Sequence, residues 1–466
     1  MTRRTKIVAT LGPSVDTKEG LAAMVGAGMN VARFNCSHGE WAQKRRWHDW
    51  LREVEPKERA VGILLDLQGP KFRLGELPPE GVTIAPGEEA TIGPGGQLPL
   101  HEVSVLAVLE PGKRLLFGDG DVEIRILEPR GENYVASVTY GGLVRSRQGV
   151  TMPGQSFDAT PLQPKDYADL AAAAAVEPDF IALSYVRTAA DLRVLREELG
   201  RLGLNSQVCA KIETAEACAN LDEIVAEADL LMVARGDLGL QIELSEVPIQ
   251  QKRIIRASLL AGKPVITATQ MLESMVSRPR PTRAEANDVA NAILDGTDAV
   301  MLSGETAIGQ FPVHAVRTMV EIAEVADAQI DRGRIRTMFE TADSEVMPRG
   351  MAIAEAAASL ASQIHATAIV VTTTSGQTAR LVSRFRPRRP ILCASWEERT
   401  RRSLSVVWGV DPVTVDRPTT TEQNVAVALS RFRESGALQP GDLVVVTAGA
   451  PAGKPGNTNL ITVARA

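Results

Sequence analysis

The chain has 466 residues, of which 44% are hydrophobic, and its formal net charge of −6 is spread over many residues of both signs. This length predicts about three domains of about 150 residues, although one very large domain is also compatible with it. The composition is typical of a globular protein and indicates no nucleic-acid or membrane partner. Because no apolar run approaches the roughly 20 residues of a membrane span and the first residues lack the apolar core of a signal peptide, we expect a cytoplasmic protein.

Eight short apolar runs alternate with helical patterns along the first two thirds of the chain. Such alternation predicts a parallel sheet, and the count of eight is that of a (β/α)8 barrel. The runs span residues 6–11, 30–35, 61–67, 180–186, 207–212, 230–234, 264–269 and 299–302.

Two further domains are predicted. Residues 72–152 contain short alternating runs separated by Gly, Pro and Asp turns, which indicates a β-rich lid domain inserted after the third barrel strand. Strand and helix patterns alternate again from about residue 350, after a largely polar segment that we take as a boundary. We therefore predict an α/β fold: a TIM barrel with an inserted all-β domain and a C-terminal α/β domain. The barrel would comprise residues 1–71 and 153–335, and the C-terminal domain residues 336–466.

Polar residues at the carboxyl ends of the strands are the first candidates for a site, because TIM-barrel active sites gather there. Side chains alternate with a period of two, so Arg33 and Asn35 share one face of the second strand, and Lys211 and Glu213 share one face of the fifth. An ammonium beside a carboxylate suits phosphoryl transfer, where it offsets charge while the carboxylate holds a divalent cation. Asp237, after the sixth strand, adds a hard oxygen ligand of the kind Mg²⁺ prefers. The alternative for Lys211 and Glu213 is a surface ion pair of little energetic value.

Other side chains also allow two interpretations. Arg33 has the fork geometry that binds phosphate, but it could form a structural salt bridge instead. Gly236 lies in a turn that could start a short helix with free amide groups for a small carboxylate, or in a plain βα turn. Thr269 and Ser303 could each bind a substrate or a water, or cap a helix. His38 could contact a nucleotide, or be a solvated or capping side chain.

Several segments, taken together in order, resemble the pyruvate kinase family, and the match runs across nearly the whole chain. The resemblance implies phosphoryl transfer from phosphoenolpyruvate to ADP, giving pyruvate and ATP in glycolysis. The matching segments are TKIVATLGP (5–13), NCSHG (35–39), KIE (211–213), MVARGDLG (232–239), ATQMLESM (268–275), PTRAE (281–285) and SGET (303–306).

The resemblance also implies roles for the matched residues. Arg33 would bind the phosphoryl group and Lys211 would stabilise the transition state, while Glu213 and Asp237 would hold Mg²⁺, with Mn²⁺ as a substitute. The enolate left by the transfer would be protonated by a water. The substrate carboxylate would be bound by Gly236, Asp237 and Thr269, the water would lie near Thr269 with Ser303 in a relay, and the nucleotide would be approached by Asn35, His38 and Arg73.

One departure from the family pattern concerns potassium. The potassium-requiring members end the third strand with Asp-Thr-Lys-Gly-Pro-Glu, whereas this chain has Asp-Leu-Gln-Gly-Pro-Lys, ending at Lys71. The ammonium of Lys71 would place a fixed positive charge where those members bind K⁺, and two cations in one small pocket repel by several kcal/mol. We predict that activity does not require K⁺. The alternative is that Lys71 is solvated at the hinge of the inserted domain.

A second phosphate site is predicted in the C-terminal domain. Residues 372–378 join an apolar strand to a helix, as a phosphate-cradling loop does, and resemble the family's effector loop, with an ordinary capped helix start as the alternative. A second loop, 449–456, lacks the aromatic and arginine of members that respond to fructose 1,6-bisphosphate, so a sugar monophosphate or AMP is an equally good candidate. The resemblance implies a homotetramer. The effector phosphate would be bound by Thr373, Thr374, Ser375 and Thr378.

Two rival functions can be tested against the same residues. An aldolase-like barrel enzyme would use Lys211 to form a Schiff base, but Glu213 beside it favours the charged ammonium. A non-catalytic regulator would need only the effector domain, whereas the chain retains Arg33, Asp237 and Thr269 as well.

Overall fold

The computed structural model describes residues 3–155, 159–340, 347–418, 420–449 and 458–466. Eight parallel strands close into a barrel in sequence order, and each lies within the predicted run, so the barrel prediction is confirmed. The strands are Lys6–Thr10, Val31–Asn35, Gly62–Asp66, Phe180–Leu183, Gln207–Ile212, Leu230–Ala234, Val265–Ala268 and Ala299–Leu302.

Helices surround the barrel and are set by local capping signals. Thr282 and Glu285 form a reciprocal capping box at the start of one of them, with the Thr282 hydroxyl accepting from the Glu285 amide. Two 3₁₀ turns span Pro13–Val15 and Glu273–Val276. The α-helices are Lys18–Ala27, Trp41–Val54, Pro164–Ala173, Ala189–Leu202, Ala215–Ala219, Leu221–Glu227, Arg235–Gln241, Val247–Ala261, Arg283–Asp295, Gly304–Ala307 and Pro312–Ala328.

Alternate residues of the barrel strands fill its interior. Because side chains alternate along a strand, the same face that is apolar at the amino ends continues into Arg33, Asp66 and Lys211 near the carboxyl ends. The strands therefore bring these charged groups into the mouth of the barrel. The buried apolar members of this interior face include Val8, Val31, Leu64, Cys209 and Met232.

The inserted domain has its own apolar core and two sheets, of six and two strands. It departs from the all-β prediction at one short helix, Val103–Leu106. Arg114 of this domain lies 3.1 Å from Glu243 of the barrel, so the domain contacts the mouth side. Its strands are Val82–Ile84, Glu89–Gly93, Leu98–Pro99, Arg114–Phe117, Val122–Arg130, Asn133–Tyr140, Gly142–Val144 and Val150–Thr151.

The C-terminal domain is built on one five-stranded sheet whose last strand is antiparallel to its neighbour. Its helices are Arg349–Gln363, Gln377–Ser383, Glu398–Ser403 and Thr421–Glu434. Its strands are Ala368–Thr372, Ile391–Ser395, Val410–Thr414, Leu443–Gly449 and Thr458–Arg465.

The polar segment expected at the domain boundary contains a helix, Arg332–Glu340. Ile335 and Phe339 are four residues apart and buried on its inner face, and the Phe339 ring centroid lies 4.9 Å from that of Phe385. Two apolar side chains thus order part of a stretch whose polar composition indicated a domain boundary. Residues 341–346 of that segment lie outside the described residues.

The C-terminal domain packs on the amino ends of the barrel strands. The Nη1 atom of Arg386 lies 3.0 Å from Oδ1 of Asp298, which directly precedes the eighth strand, and both side chains are buried. Lys6, the first residue of the first strand, donates a hydrogen bond to the Val410 carbonyl at 2.7 Å. This domain is therefore at the opposite end of the barrel from the mouth. No helix in the described part of the chain is both long and apolar enough to cross a bilayer.

Candidate active site at the carboxyl end of the barrel

Asp66 joins two cationic side chains of the barrel mouth. Arg33 Nε donates to its Oδ2 at 2.7 Å, and Lys211 Nζ lies 3.3 Å from its Oδ1. Burial alone would raise the pKa of Asp66, but the charges of Lys211 and Arg33 outweigh it and hold the pKa below its usual value. The carboxylate therefore stays ionised and fixes both cations in place.

Lys211 is surrounded by acceptors. Its Nζ donates to Ser184 Oγ at 2.6 Å and lies 3.3 Å from Glu213 Oε2. Burial works to lower the pKa of Lys211, yet the negative charges of Asp66, Glu213 and Asp237 raise it above its ordinary value. The amine is consequently held as an ammonium, which is unsuited to attack a carbonyl as an aldolase lysine does.

Glu213 has one satisfied oxygen and one without a hydrogen bond. The Tyr185 amide donates to Oε1 at 2.6 Å, whereas Oε2 is buried, forms an ion pair with Lys211 at 3.3 Å and accepts no hydrogen bond. Burial raises the pKa of Glu213 above its ordinary value, since it outweighs the charge of Lys211 and is reinforced by Asp237. A bound cation would satisfy the free oxygen and favour its ionised form.

Asp237 is the second carboxylate at this point, in the first turn of the helix Arg235–Gln241. Its Oδ1 accepts from Lys71 Nζ at 3.2 Å and from the Tyr185 hydroxyl at 3.3 Å. Burial and the charge of Asp237 raise the pKa of Tyr185 well above its usual value, so its hydroxyl remains a donor.

These groups fit a magnesium ion. Over the described ranges no cluster of three or more His, Cys, Asp or Glu side chains has the geometry of a metal site. Asp66 is committed to Arg33 and Lys211, which leaves Glu213 and Asp237. Mg²⁺ is commonly bound by one or two carboxylates, with substrate oxygens and waters as the other ligands, so two carboxylates beside an open mouth are sufficient.

Thr269 and Gly236 are in contact at the ends of neighbouring strands. The Gly236 amide donates to Thr269 Oγ1 at 2.7 Å, and that hydroxyl donates to the Ala268 carbonyl at 2.6 Å. Thr269 has a φ of 69°, in the left-handed region. The Arg235 side chain holds this turn through the Thr269 carbonyl, at 2.7 Å.

Ser303 follows the eighth strand, and its buried Oγ has no hydrogen-bond partner. Its amide donates to Glu305 Oε2 at 2.7 Å, and Glu305 Oε1 accepts from the Leu272 amide at 3.0 Å. Within the described residues no hydrogen bond joins Ser303 to Thr269. An unpaired buried hydroxyl is compatible with a bound water there.

The residues expected to approach a nucleotide lie on the side of the second strand. Asn35 Oδ1 accepts from the Ser37 amide at 2.9 Å, and Arg73 donates to the Arg147 carbonyl at 3.0 Å. Partial burial and the positive charges of Arg73, Arg33, Lys44 and Lys165 lower the pKa of His38. Several cations are therefore close to His38, which makes this side of the mouth favourable for phosphate groups.

In the C-terminal domain, the predicted loop does join a strand to a helix. Thr373 Oγ1 accepts from the Gly376 amide at 3.0 Å, and the hydroxyls of Thr378 and Thr458 are 2.6 Å apart. Ser375 is exposed at the tip, and Thr374 is half-buried. Two of the four predicted hydroxyls are thus paired within the protein. Residues 450–456 of the second predicted loop lie outside the described residues.

Four contributors to the mouth were not predicted as site residues from the sequence. They are Asp66, Ser184, Tyr185 and Arg235. For Asp66 and Ser184 a signal was available, because each continues the interior face of its strand, two residues after a buried apolar side chain. The other two depend on turn geometry and on contacts between strands that are distant in the chain.

Comparisons with known proteins agree with this arrangement. The model of the pyruvate kinase barrel domain matches residues 2–316, and that of the pyruvate kinase alpha/beta domain matches residues 351–464. A pyruvate kinase of Geobacillus stearothermophilus is 41% identical over 473 residues, covering 99% of this chain and 80% of the relative. One from Clostridium acetobutylicum is 37% identical, with 99% of both chains covered. One from Mycobacterium tuberculosis is 40% identical, covering 100% of this chain and 99% of the relative. The chain belongs to the pyruvate kinase family.

Proposed function

We propose that the protein transfers the phosphoryl group of phosphoenolpyruvate to ADP, giving pyruvate and ATP. The observation that carries the proposal is the position of Lys211, whose ammonium lies 3.3 Å from both Asp66 and Glu213 in the mouth of the barrel. Family membership supports the same reaction.

Glu213 and Asp237 are the proposed ligands of Mg²⁺, for which Mn²⁺ can substitute. When bound, the ion supplies positive charge that offsets the charge of the phosphoryl oxygens. The buried Oε2 of Glu213, which accepts no hydrogen bond, supports this assignment.

The chain's own cations bind and orient the transferring group. Arg33 uses Nε and Nη1 for Asp66 and Thr10, whereas its Nη2 makes no hydrogen bond within the described ranges. That nitrogen is free to bind the phosphoryl group. Lys211 offsets the charge on the equatorial oxygens of the phosphoryl group during transfer. Because Asp66 fixes Arg33 and Lys211 in advance, little reorganisation is needed.

The substrate carboxylate binds where Gly236, Asp237 and Thr269 meet. The Gly236 amide donates to the Thr269 hydroxyl at 2.7 Å. When the substrate is present, both groups hydrogen-bond to its carboxylate instead. After the phosphoryl group leaves, the enolate takes a proton from a water near Thr269, and Ser303 relays it. Asn35, His38 and Arg73 approach the nucleotide.

Lys71 replaces potassium as a fixed positive charge, so K⁺ is not required. Its ion pair with Asp237 supports a role inside the site. In the C-terminal domain, Thr373, Thr374, Ser375 and Thr378 bind the phosphate of an effector, and the enzyme is a homotetramer.

The deciding experiment measures pyruvate formation from phosphoenolpyruvate and ADP with Mg²⁺, in a buffer whose only monovalent cation is tetramethylammonium, before and after adding KCl. Activity in both conditions supports the kinase and the role of Lys71. Activity only with KCl keeps the kinase and discards the role of Lys71. No activity in either, even with sugar phosphates or AMP, refutes the proposed function.

A further inference from the structure

Tyr185 contacts both carboxylates that we assign to the metal. Its amide donates to Glu213 Oε1 at 2.6 Å, and its hydroxyl donates to Asp237 Oδ1 at 3.3 Å. One residue therefore reaches one ligand through its main chain and the other through its side chain.

The backbone of Tyr185 is in an unusual conformation that makes this double contact possible. Its φ is 55°, in the left-handed region that bulky side chains rarely adopt because it is strained. Such a conformation persists where the surroundings over-determine it, commonly at functional sites. Here the strand that Tyr185 follows is paired with the strand that leads to Glu213.

Each carboxylate consequently has one oxygen that is held by a hydrogen bond and one that accepts none. The held oxygens are Oε1 of Glu213 and Oδ1 of Asp237. Oε2 of Glu213 is buried and accepts no hydrogen bond, with the Lys211 ammonium 3.3 Å away, and Oδ2 of Asp237 makes no hydrogen bond in the described part of the chain. A carboxylate that is anchored through one oxygen presents the other in a fixed direction. Groups that hydrogen-bond to metal ligands commonly orient them in this way.

We propose that Tyr185 is a positioning residue for the divalent cation, which fixes the oxygen that each of Glu213 and Asp237 presents to the ion. This inference rests on the proposed function, because it takes these two carboxylates as the ligands. Lys71 also donates to Oδ1 of Asp237, at 3.2 Å, so one donor remains when the phenol is removed. The effect of losing the hydroxyl is therefore moderate.

The test removes only that hydroxyl, in the Tyr185→Phe variant, which keeps the ring and the amide. Mn²⁺ binding to the full-length enzyme without substrates is followed by electron paramagnetic resonance of the free ion. We expect the dissociation constant to rise about 3- to 10-fold, the effect of one hydrogen bond of typical net strength. The Mg²⁺ concentration for half-maximal activity should rise by a similar factor, while kcat at saturating Mg²⁺ stays near that of the parent enzyme.

The matched control is Tyr134→Phe, because the Tyr134 hydroxyl donates to the Leu106 carbonyl inside the inserted domain, at 3.0 Å. Its Mn²⁺ affinity should equal that of the parent enzyme. A second comparison introduces Tyr185→Phe into an Asp237→Ala background, which leaves the hydroxyl no acceptor at residue 237, so Mn²⁺ affinity should change no further if the hydroxyl acts through Asp237.

Two results would overturn the inference: Mn²⁺ affinity in Tyr185→Phe equal to or tighter than that of the parent, or an equal loss in both backgrounds, which would indicate a general packing defect. Both leave the proposed function standing, provided that the parent enzyme binds Mn²⁺ and transfers the phosphoryl group. Failure of the parent enzyme in those two assays refutes the proposed function itself.

Discussion

The Nζ atom of Lys71 lies 3.2 Å from Oδ1 of Asp237, and this pair joins the segment that enters the inserted domain to the end of the sixth barrel strand. The Lys71 side chain is 30% exposed, so it is not simply solvated at a hinge. No hydrogen bond or ion pair connects it to Asn35 or Asp66 in the described residues. Its charge thus acts on the side of the site assigned to the divalent metal.

Reversing this charge should create a need for potassium. In Lys71→Glu, the mouth loses a cation and gains an anion, so we expect turnover without K⁺ to fall at least about 10-fold and added KCl to restore much of it. The assay is pyruvate formation in tetramethylammonium buffer with and without KCl. The same reversal at the exposed Lys57 should change neither rate, and K⁺-insensitive turnover in Lys71→Glu would contradict the prediction.

Replacing Lys211 by Met should remove transition-state stabilisation while the fold persists. We expect kcat to fall about 10³-fold, the scale of losing one electrostatic contact to the transferring group. Steady-state kinetics and circular dichroism measure the two quantities. Lys6→Met is the control, because Lys6 is also a buried barrel lysine but lies at the opposite end, where it donates to Val410. The Lys6→Met variant should have a lower free energy of unfolding and an unchanged kcat. Equal kcat values in the two variants would exclude a catalytic role for Lys211.

Asp66→Asn should destabilise the protein in a pH-dependent way. The variant leaves Lys211 and Arg33 buried without their shared counter-charge, which costs about 3–5 kcal/mol at pH 7. The folded pKa of Asp66 lies below the usual value of about 3.9. Its contribution is therefore fully present above the unfolded pKa and is lost as pH falls through the folded pKa.

Urea unfolding of both proteins across the pH range checks this sign. The difference in unfolding free energy between parent and Asp66→Asn should be constant from about pH 8 to pH 5 and should shrink below about pH 4. A difference that grew on acidification would show that the folded pKa is raised instead.

Breaking the buried pair between Arg386 and Asp298 should weaken the contact between the barrel and the C-terminal domain. The side chains are 0% and 5% exposed, so Arg386→Met leaves a buried charge and should cost about 3–5 kcal/mol in denaturant unfolding. Arg336→Met is the matched control, since Arg336 and Glu340 form a pair that is 70% and 56% exposed and contributes about 0–1 kcal/mol. Equal losses of unfolding free energy in the two variants would show that burial does not increase the contribution of the Arg386–Asp298 pair to stability.

Much of the fold was predictable because it depends on local patterns. The apolar runs marked all eight barrel strands, since a parallel strand buried on both faces has a nearly continuous apolar sequence. The period of two placed Lys211 and Glu213 on one face, and the structure has them 3.3 Å apart. The helix at Arg332–Glu340 was missed, because its order comes from burial of Ile335 and Phe339 against the rest of the protein.

The sequence by itself determined the barrel, the order of the domains and which charged residues close the strands, because alternation and capping act over a few residues. Only the tertiary structure decided how those charges pair. Asp66 is shared by Arg33 and Lys211, and Tyr185 reaches both Glu213 and Asp237, from strands brought together by closure of the barrel. Such contacts depend on register, on a left-handed turn and on the burial of charge, and these arise when distant segments exclude water from the same small volume.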